Sequence, residues 1–219
     1  MEHNTLSGAI LDLDGTLLDS MNVWSRIDRD LLTSYGIAPP EDISDIVKKM
    51  TIMESSRYFI DRFRLPATPE SIAAQVEEMA AHQYQHVLPL KEGVIDFLDG
   101  LDKMGIRYGI ATATYPELAR AALDRLGLSG RIQFLLTEAE TGSGKTEPGI
   151  YYEGARRLGL GKRQILVAED ALHCITTTKK AGFFTAGVYD PATPPDEWQA
   201  ICAAATVSVR KISDLLRLI

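Results

Sequence analysis

Residues 8–13, Gly8-Ala-Ile-Leu-Asp-Leu13, form a short apolar run that breaks into Asp14-Gly15-Thr16. That is the pattern of a buried strand emptying into a loop. From about residue 20 to 88 the texture becomes helical. Ile72, Val76, Met79 and Ala80 keep the three-and-four spacing of one helix face. Pro39-Pro40 and the stretch from Pro66 to Pro69 divide this region into three or four helices, with Pro69-Glu70 suiting a helix start. Beyond Pro89, helical stretches near 92–104, 116–127, 148–159 and 171–181 alternate with short apolar runs at 108–112, 134–137, 165–168 and 183–188. A helix around 196–204, a short strand at 206–209 and a closing helix complete the pattern.

Strands separated by helical crossovers predict an α/β protein built on a doubly wound parallel sheet with helices on both faces. The all-helical stretch interrupts the alternation after its first strand, so it reads as an inserted domain. The expected division is a core from 1–19 and 89–219 with a helical cap at 20–88. Only two connections join them, around 17–20 and 88–93, which makes those positions natural hinges.

Composition narrows the function. The chain has 219 residues, 45% hydrophobic and 24% charged, ordinary values for a globular protein with one good core and a smaller second unit. A net charge of −7, with basic doublets scattered at Lys48-Lys49, Arg156-Arg157 and Lys179-Lys180, argues against a nucleic-acid partner. Cys174 and Cys202 have no metal-ligand spacing and read as two buried, reduced thiols, which suits the cytoplasm. Met1-Glu2-His3-Asn4 does not resemble a signal peptide, and no uncharged apolar run is long enough for a membrane span. The expectation is a soluble cytoplasmic protein without a membrane partner.

The strongest chemical signal is Asp12-Leu13-Asp14-Gly15-Thr16-Leu17 directly after an apolar strand. Side chains two apart on a strand share a face, so both carboxylates can converge at its C-terminal end, the edge where open parallel sheets place ligands. Thr112 ends another such run, Lys145 lies in a loop before a helix, and Glu169-Asp170 follows a third apolar strand. Each has an ordinary structural use, as a strand end, a solvated loop lysine or a helix cap. Together they would bring carboxylates, a hydroxyl and an ammonium to one cleft.

In order and spacing these residues resemble the four motifs of the haloacid dehalogenase superfamily, in the branch with a helical cap inserted after the first motif. That branch includes phosphatases and β-phosphoglucomutases. The resemblance implies a Mg²⁺-dependent phosphatase acting on a small phosphorylated metabolite, a phosphate monoester such as a sugar phosphate, through an aspartyl-phosphate intermediate. Asp12 would be the nucleophile and Asp14 the general acid and base, with Thr112 and Lys145 completing the catalytic set. Leu13, Asp14, Thr112, Ala113 and Lys145 would hold the phosphate. Asp12, Asp14 through its backbone carbonyl, Glu169 and Asp170 would hold Mg²⁺, which favours hard oxygen ligands. Thr146 and Gly149 depart from the usual surroundings of the third-motif lysine. Ala171 and Cys174 replace the small Ser and Gly that commonly follow the acidic pair.

Three alternatives compete with this reading. Ala139-x4-Gly144-Lys145-Thr146 is a relaxed phosphate-loop pattern, but it lacks the first glycine, places Pro148 at the helix start and leaves Asp12 and Asp14 unemployed. A phosphohexomutase would need a second cationic grip on phosphate, where Met53 and Trp24 now stand. A non-catalytic binding protein on the same fold would be expected to have lost one of the groups above. Trp24, Arg26, Lys48, Lys49, Met53 and Arg57 are candidates for substrate choice.

Overall fold

The computed structural model describes residues 6–47, 50–142 and 144–219, apart from the side chain of Asp45. The chain forms two compact units, Met1–Ser20 with Leu88–Ile219, and Met21–Val87. It opens with β1 (Gly8–Leu11) and passes through α1 (Val23–Ser34), α2 (Ile43–Val47), α3 (Ile52–Phe63), α4 (Pro69–His82) and a π-helical turn (Gln83–Val87). There follow α5 (Val94–Met104), β2 (Arg107–Thr112), α6 (Pro116–Arg125), β3 (Leu135–Thr137), α7 (Glu138–Thr141) and α8 (Gly149–Leu158). The last third holds β4 (Ile165–Glu169), α9 (Leu172–Ala181), β5 (Phe184–Val188), α10 (Pro195–Ala204), β6 (Val207–Val209) and a closing 3₁₀ segment, Ile212–Arg217.

In the first unit all six strands are parallel, in the order β3-β2-β1-β4-β5-β6. β1 and β4 are buried along their whole length, as befits central strands covered by helices on both faces. The strand order reverses between β1 and β4, and such switch points open a crevice at the carboxyl ends of the strands. Under the sheet, Ile10, Phe134, Ile150, Tyr151, Val167 and Phe183 share one apolar cluster. α8 approaches β1 closely because Gly154 has no side chain: a Cβ there would meet Ile10 Cδ1 at 2.7 Å.

β1 stops at Leu11, two residues short of the apolar run. The cause lies in the next loop. The Leu13 carbonyl accepts from the amides of Leu17 at 2.9 Å and Leu18 at 2.8 Å, which turns the chain out of the sheet. Gly15 makes the turn at φ 80°, a conformation that disfavours a side chain. The chain then leaves the unit and re-enters through a short antiparallel stub. The Asp19 amide donates to the Pro89 carbonyl at 3.0 Å, the Lys91 amide to the Leu17 carbonyl at 2.8 Å, and Leu18 bridges Leu90.

The second unit is all-helical. Ile27, Leu31 and Leu32 of α1, Phe59 of α3 and Ile72, Val76 and Ala80 of α4 are buried. Thr51 and Glu54 cap α3 reciprocally, and Thr68 caps α4 ahead of Pro69. Trp24, Arg26 and Arg57 are exposed and Met53 is half-buried, whereas Lys48 and Lys49 lie outside the described residues.

The cysteine expectation needs one correction. Cys174 is buried, but Cys202 is exposed. α10 buries Ile201 alone, and the next position turns about 100° away toward solvent. Among the described residues no helix is long and apolar enough to cross a membrane.

Candidate active site

Register places the first acid of the site. Leu11 pairs with Ala168, and the Asp12 amide continues the ladder by donating to the Ala168 carbonyl at 3.0 Å. Asp12 therefore leaves the sheet beside Glu169 and Asp170. One carboxylate oxygen from each of Asp12, Glu169 and Asp170 lies within 4.8 Å of the others. All three residues are buried, at 6%, 1% and 8% exposure. α9 begins immediately beyond Asp170, so the positive end of its dipole favours negative charge there.

Lys145 reaches this cluster from the loop between α7 and α8. Its backbone amide donates to Glu138 Oε1 at 2.6 Å, which fixes the loop. Its ammonium is buried, pairs with Asp12 Oδ1 and lies 2.7 Å from Glu169 Oε1. On the far side, the Tyr151 hydroxyl donates to the same Glu169 Oε1 at 2.8 Å.

The charges do not balance. Three carboxylates face one ammonium, and their ionisation would leave two negative charges uncompensated in a buried place. The carboxyls respond. Burial, partly offset by Lys145, pushes Asp12 up to about 7. Burial, with repulsion from Asp12 and Glu169, pushes Asp170 up to about 8. Burial alone would lower the Lys145 pKa, but Asp12 and Glu169 outweigh it and hold the ammonium firmly charged. Glu169 Oε2 is buried with no hydrogen-bond partner among the described residues. A surplus of carboxylate charge and a bare carboxylate oxygen, in a wall of hard oxygen donors, fit a divalent cation.

The other residues marked in the sequence are placed as follows. Asp14 does not share a strand face with Asp12, because the strand has already ended. It lies in the loop, half-buried, and its Oδ2 accepts from the Thr114 hydroxyl. Its side chain stands outside the carboxylate trio. Thr112 ends β2, and its hydroxyl accepts from the Thr114 amide at 3.1 Å. Leu13 is buried and Ala113 is exposed.

Sequence reasoning passed over three residues. Thr114 was legible in principle, two positions beyond Thr112. Tyr151 reads as one more apolar residue of an amphipathic helix, and nothing local marks its hydroxyl. Lys91 was equally silent. Its ammonium donates to the Gly15 carbonyl at 2.5 Å, the Tyr189 carbonyl at 2.8 Å and Asp190 Oδ2 at 2.8 Å, and so ties down the loop after Asp14.

Comparison with known proteins agrees with this geometry. Residues 9–188 match the family described as haloacid dehalogenase-like hydrolase. Hexitol phosphatase A of Escherichia coli (strain K12) is 30% identical over 188 residues, covering 86% of this chain and 85% of its own. A phosphorylated carbohydrates phosphatase of Thermotoga maritima is 22% identical over 214 residues, 98% of either chain. Among solved structures, a Thermotoga maritima protein provisionally assigned as a beta-phosphoglucomutase superposes with a TM-score of 0.87 at 23% identity, over 97% of this chain and 98% of that one.

Proposed function

This chain belongs to the haloacid dehalogenase-like hydrolase family and is a phosphatase; from that premise we propose that it hydrolyses a small phosphorylated carbohydrate through a phosphoryl group carried on Asp12. The observation that carries the reading is the buried Asp12–Glu169–Asp170 trio with Lys145 set into it. Every group invoked lies in the first unit, so we assign the chemistry to that unit and substrate choice to Met21–Val87. Relatives named for hexitol and carbohydrate phosphates support a polyhydroxylated substrate.

An Asp12 carboxylate oxygen forms a bond to phosphorus while the bond to the substrate oxygen breaks. Asp14, oriented by the Thr114 hydroxyl, gives its proton to the departing alkoxide. It then takes a proton from water, whose oxygen attacks phosphorus and frees the Asp12 carboxylate with release of inorganic phosphate. Lys145, charged and desolvated, stabilises the phosphoryl oxygens as charge shifts onto them. Asp12, Glu169 and Asp170 would hold Mg²⁺, which supplies charge neutralisation when bound.

The phosphate-loop alternative loses its ground, since Glu138–Thr141 form the short helix α7 where that motif needs a continuous loop between strand and helix. Hydrolysis of hexitol phosphates, sugar phosphates and p-nitrophenyl phosphate, each with Mg²⁺ and with chelator, tests the reading. Mg²⁺-dependent release of phosphate from the carbohydrate esters is expected. Undiminished turnover after exhaustive chelation would overturn the metal assignment, and indifference to every carbohydrate ester the substrate class.

A further inference from the structure

Glu169 is held from one side only. Its Oε1 receives two donors, the Tyr151 hydroxyl at 2.8 Å and the Lys145 ammonium at 2.7 Å. Its Oε2 receives none among the described residues and is buried. A carboxylate pinned at one oxygen cannot swing freely about its last torsion, so the bare oxygen keeps one place. Tyr151 is itself immobile, fully buried with its ring centroid 6.3 Å from that of Phe183. A phenylalanine would fill the same apolar volume. The hydroxyl is the part that packing does not explain.

We propose that Tyr151 is a positioning residue for the divalent ion: its hydroxyl shares Glu169 Oε1 with Lys145 and so keeps Oε2 available as the oxygen that Glu169 offers to the metal. This rests on the metal reading above. Without the hydroxyl, Glu169 is left to Lys145 alone, and its carboxylate can turn to give both oxygens to the ammonium. The residue after Lys145 by six positions thus divides Glu169 between the lysine and the ion, although it touches neither substrate nor metal. Partners of this kind commonly alter metal affinity by about 10- to 100-fold.

The test uses the full chain without substrate. Mn²⁺ binding is followed by electron paramagnetic resonance, with Mg²⁺ as competitor, for wild type and Tyr151→Phe. The expected result is about 10-fold weaker binding in Tyr151→Phe, with a thermal midpoint in chelator close to wild type. In a Glu169→Gln background the same change should add no further loss, because the hydroxyl acts only through that carboxylate. Wild-type affinity in Tyr151→Phe, or an equal loss in both backgrounds, would overturn the proposal while leaving the metal reading intact. A wild-type protein that hydrolyses its ester yet takes up neither ion would overturn both, and the two failures are distinguished by the wild-type titration alone.

Discussion

Two lysines, Lys91 half-buried and Lys145 buried, brace the same first loop of the sheet, and their partners differ in charge. Lys91 gives its three protons to two backbone carbonyls and one carboxylate, Asp190, whose other oxygen accepts from the Ala192 amide. One positive charge meets one negative charge, and every partner is satisfied. Lys145 pairs with two carboxylates, Asp12 and Glu169, that stand in a cluster of three, and Glu169 Oε2 has no partner among the described residues. The first arrangement is complete and can only hold structure. The second holds more carboxylates than its one ammonium can balance. Charge balance, more than residue type, separates the clamp from the site.

The contrast can be broken most severely at the nucleophile. Asp12→Asn should lower turnover by about 10⁴-fold or more, since an amide cannot attack phosphorus. Its thermal midpoint in chelator should not fall, because the change relieves one surplus charge. Wild-type turnover in that variant would end the mechanism.

Next come the lysines themselves. Lys91→Met leaves the Asp190 carboxylate buried without its partner and should cost about 3 kcal/mol of stability, read by denaturant unfolding. Mn²⁺ affinity should be unchanged. Lys145→Met should do the opposite, lowering turnover by about 10²- to 10³-fold while Mn²⁺ binds as tightly or more tightly. If Lys91→Met weakened the metal and Lys145→Met did not slow turnover, the distinction would be wrong.

Acidity offers a smaller handle. Asp12 and Asp170 titrate near 7 and 8 in the folded protein, against about 4 for an unfolded chain. The metal-free fold thus retains protons that the unfolded chain has released, and these groups reduce its stability as pH climbs from about 4 to 8. A divalent ion replaces those protons. The gap between thermal midpoints in Mg²⁺ and in chelator should widen with pH and level off above about 8. At 100-fold excess over the dissociation constant it should reach about 5 to 10 °C. A gap that narrows with pH would contradict the raised carboxyls.

The smallest effect belongs to Thr114→Val. Losing the hydroxyl that orients Asp14 should lower kcat by about 10-fold, with metal affinity untouched. A variant as fast as wild type would remove Thr114 from the account.

Much of the fold could be read from local pattern, because each strand is a short apolar run and each crossover helix keeps its stripe. Strand and helix positions after residue 89 agree within a residue or two. The place of Asp14 was not legible by the same means. Alternation along a strand presupposes that the strand continues, and the carbonyl of Leu13 ends it. The short α7 and its Glu138 staple to the Lys145 amide also escaped, since four residues carry no period. Asp12, Lys145, Glu169 and Asp170 could be suspected as a set because each follows or precedes an apolar run. That Tyr151 and Lys91 would turn polar ends toward the same edge depends on contacts 18 and 76 residues away in sequence, which no local window contains.

The stub that joins residues 17–19 to 89–91 has a consequence for how such a chain can vary. Antiparallel neighbours stand about 5 Å apart, so the two ends of the intervening segment are already brought together by the sheet-bearing unit. The entropy of closing a loop rises only with the logarithm of its length, about 0.6 kcal/mol for each doubling. A segment of different size that folds with adjacent ends could occupy the same doorway without changing the register of β1 or the seat of Asp12. The stub acts as a socket, and what is plugged into it can be exchanged while the chemistry stays where it is.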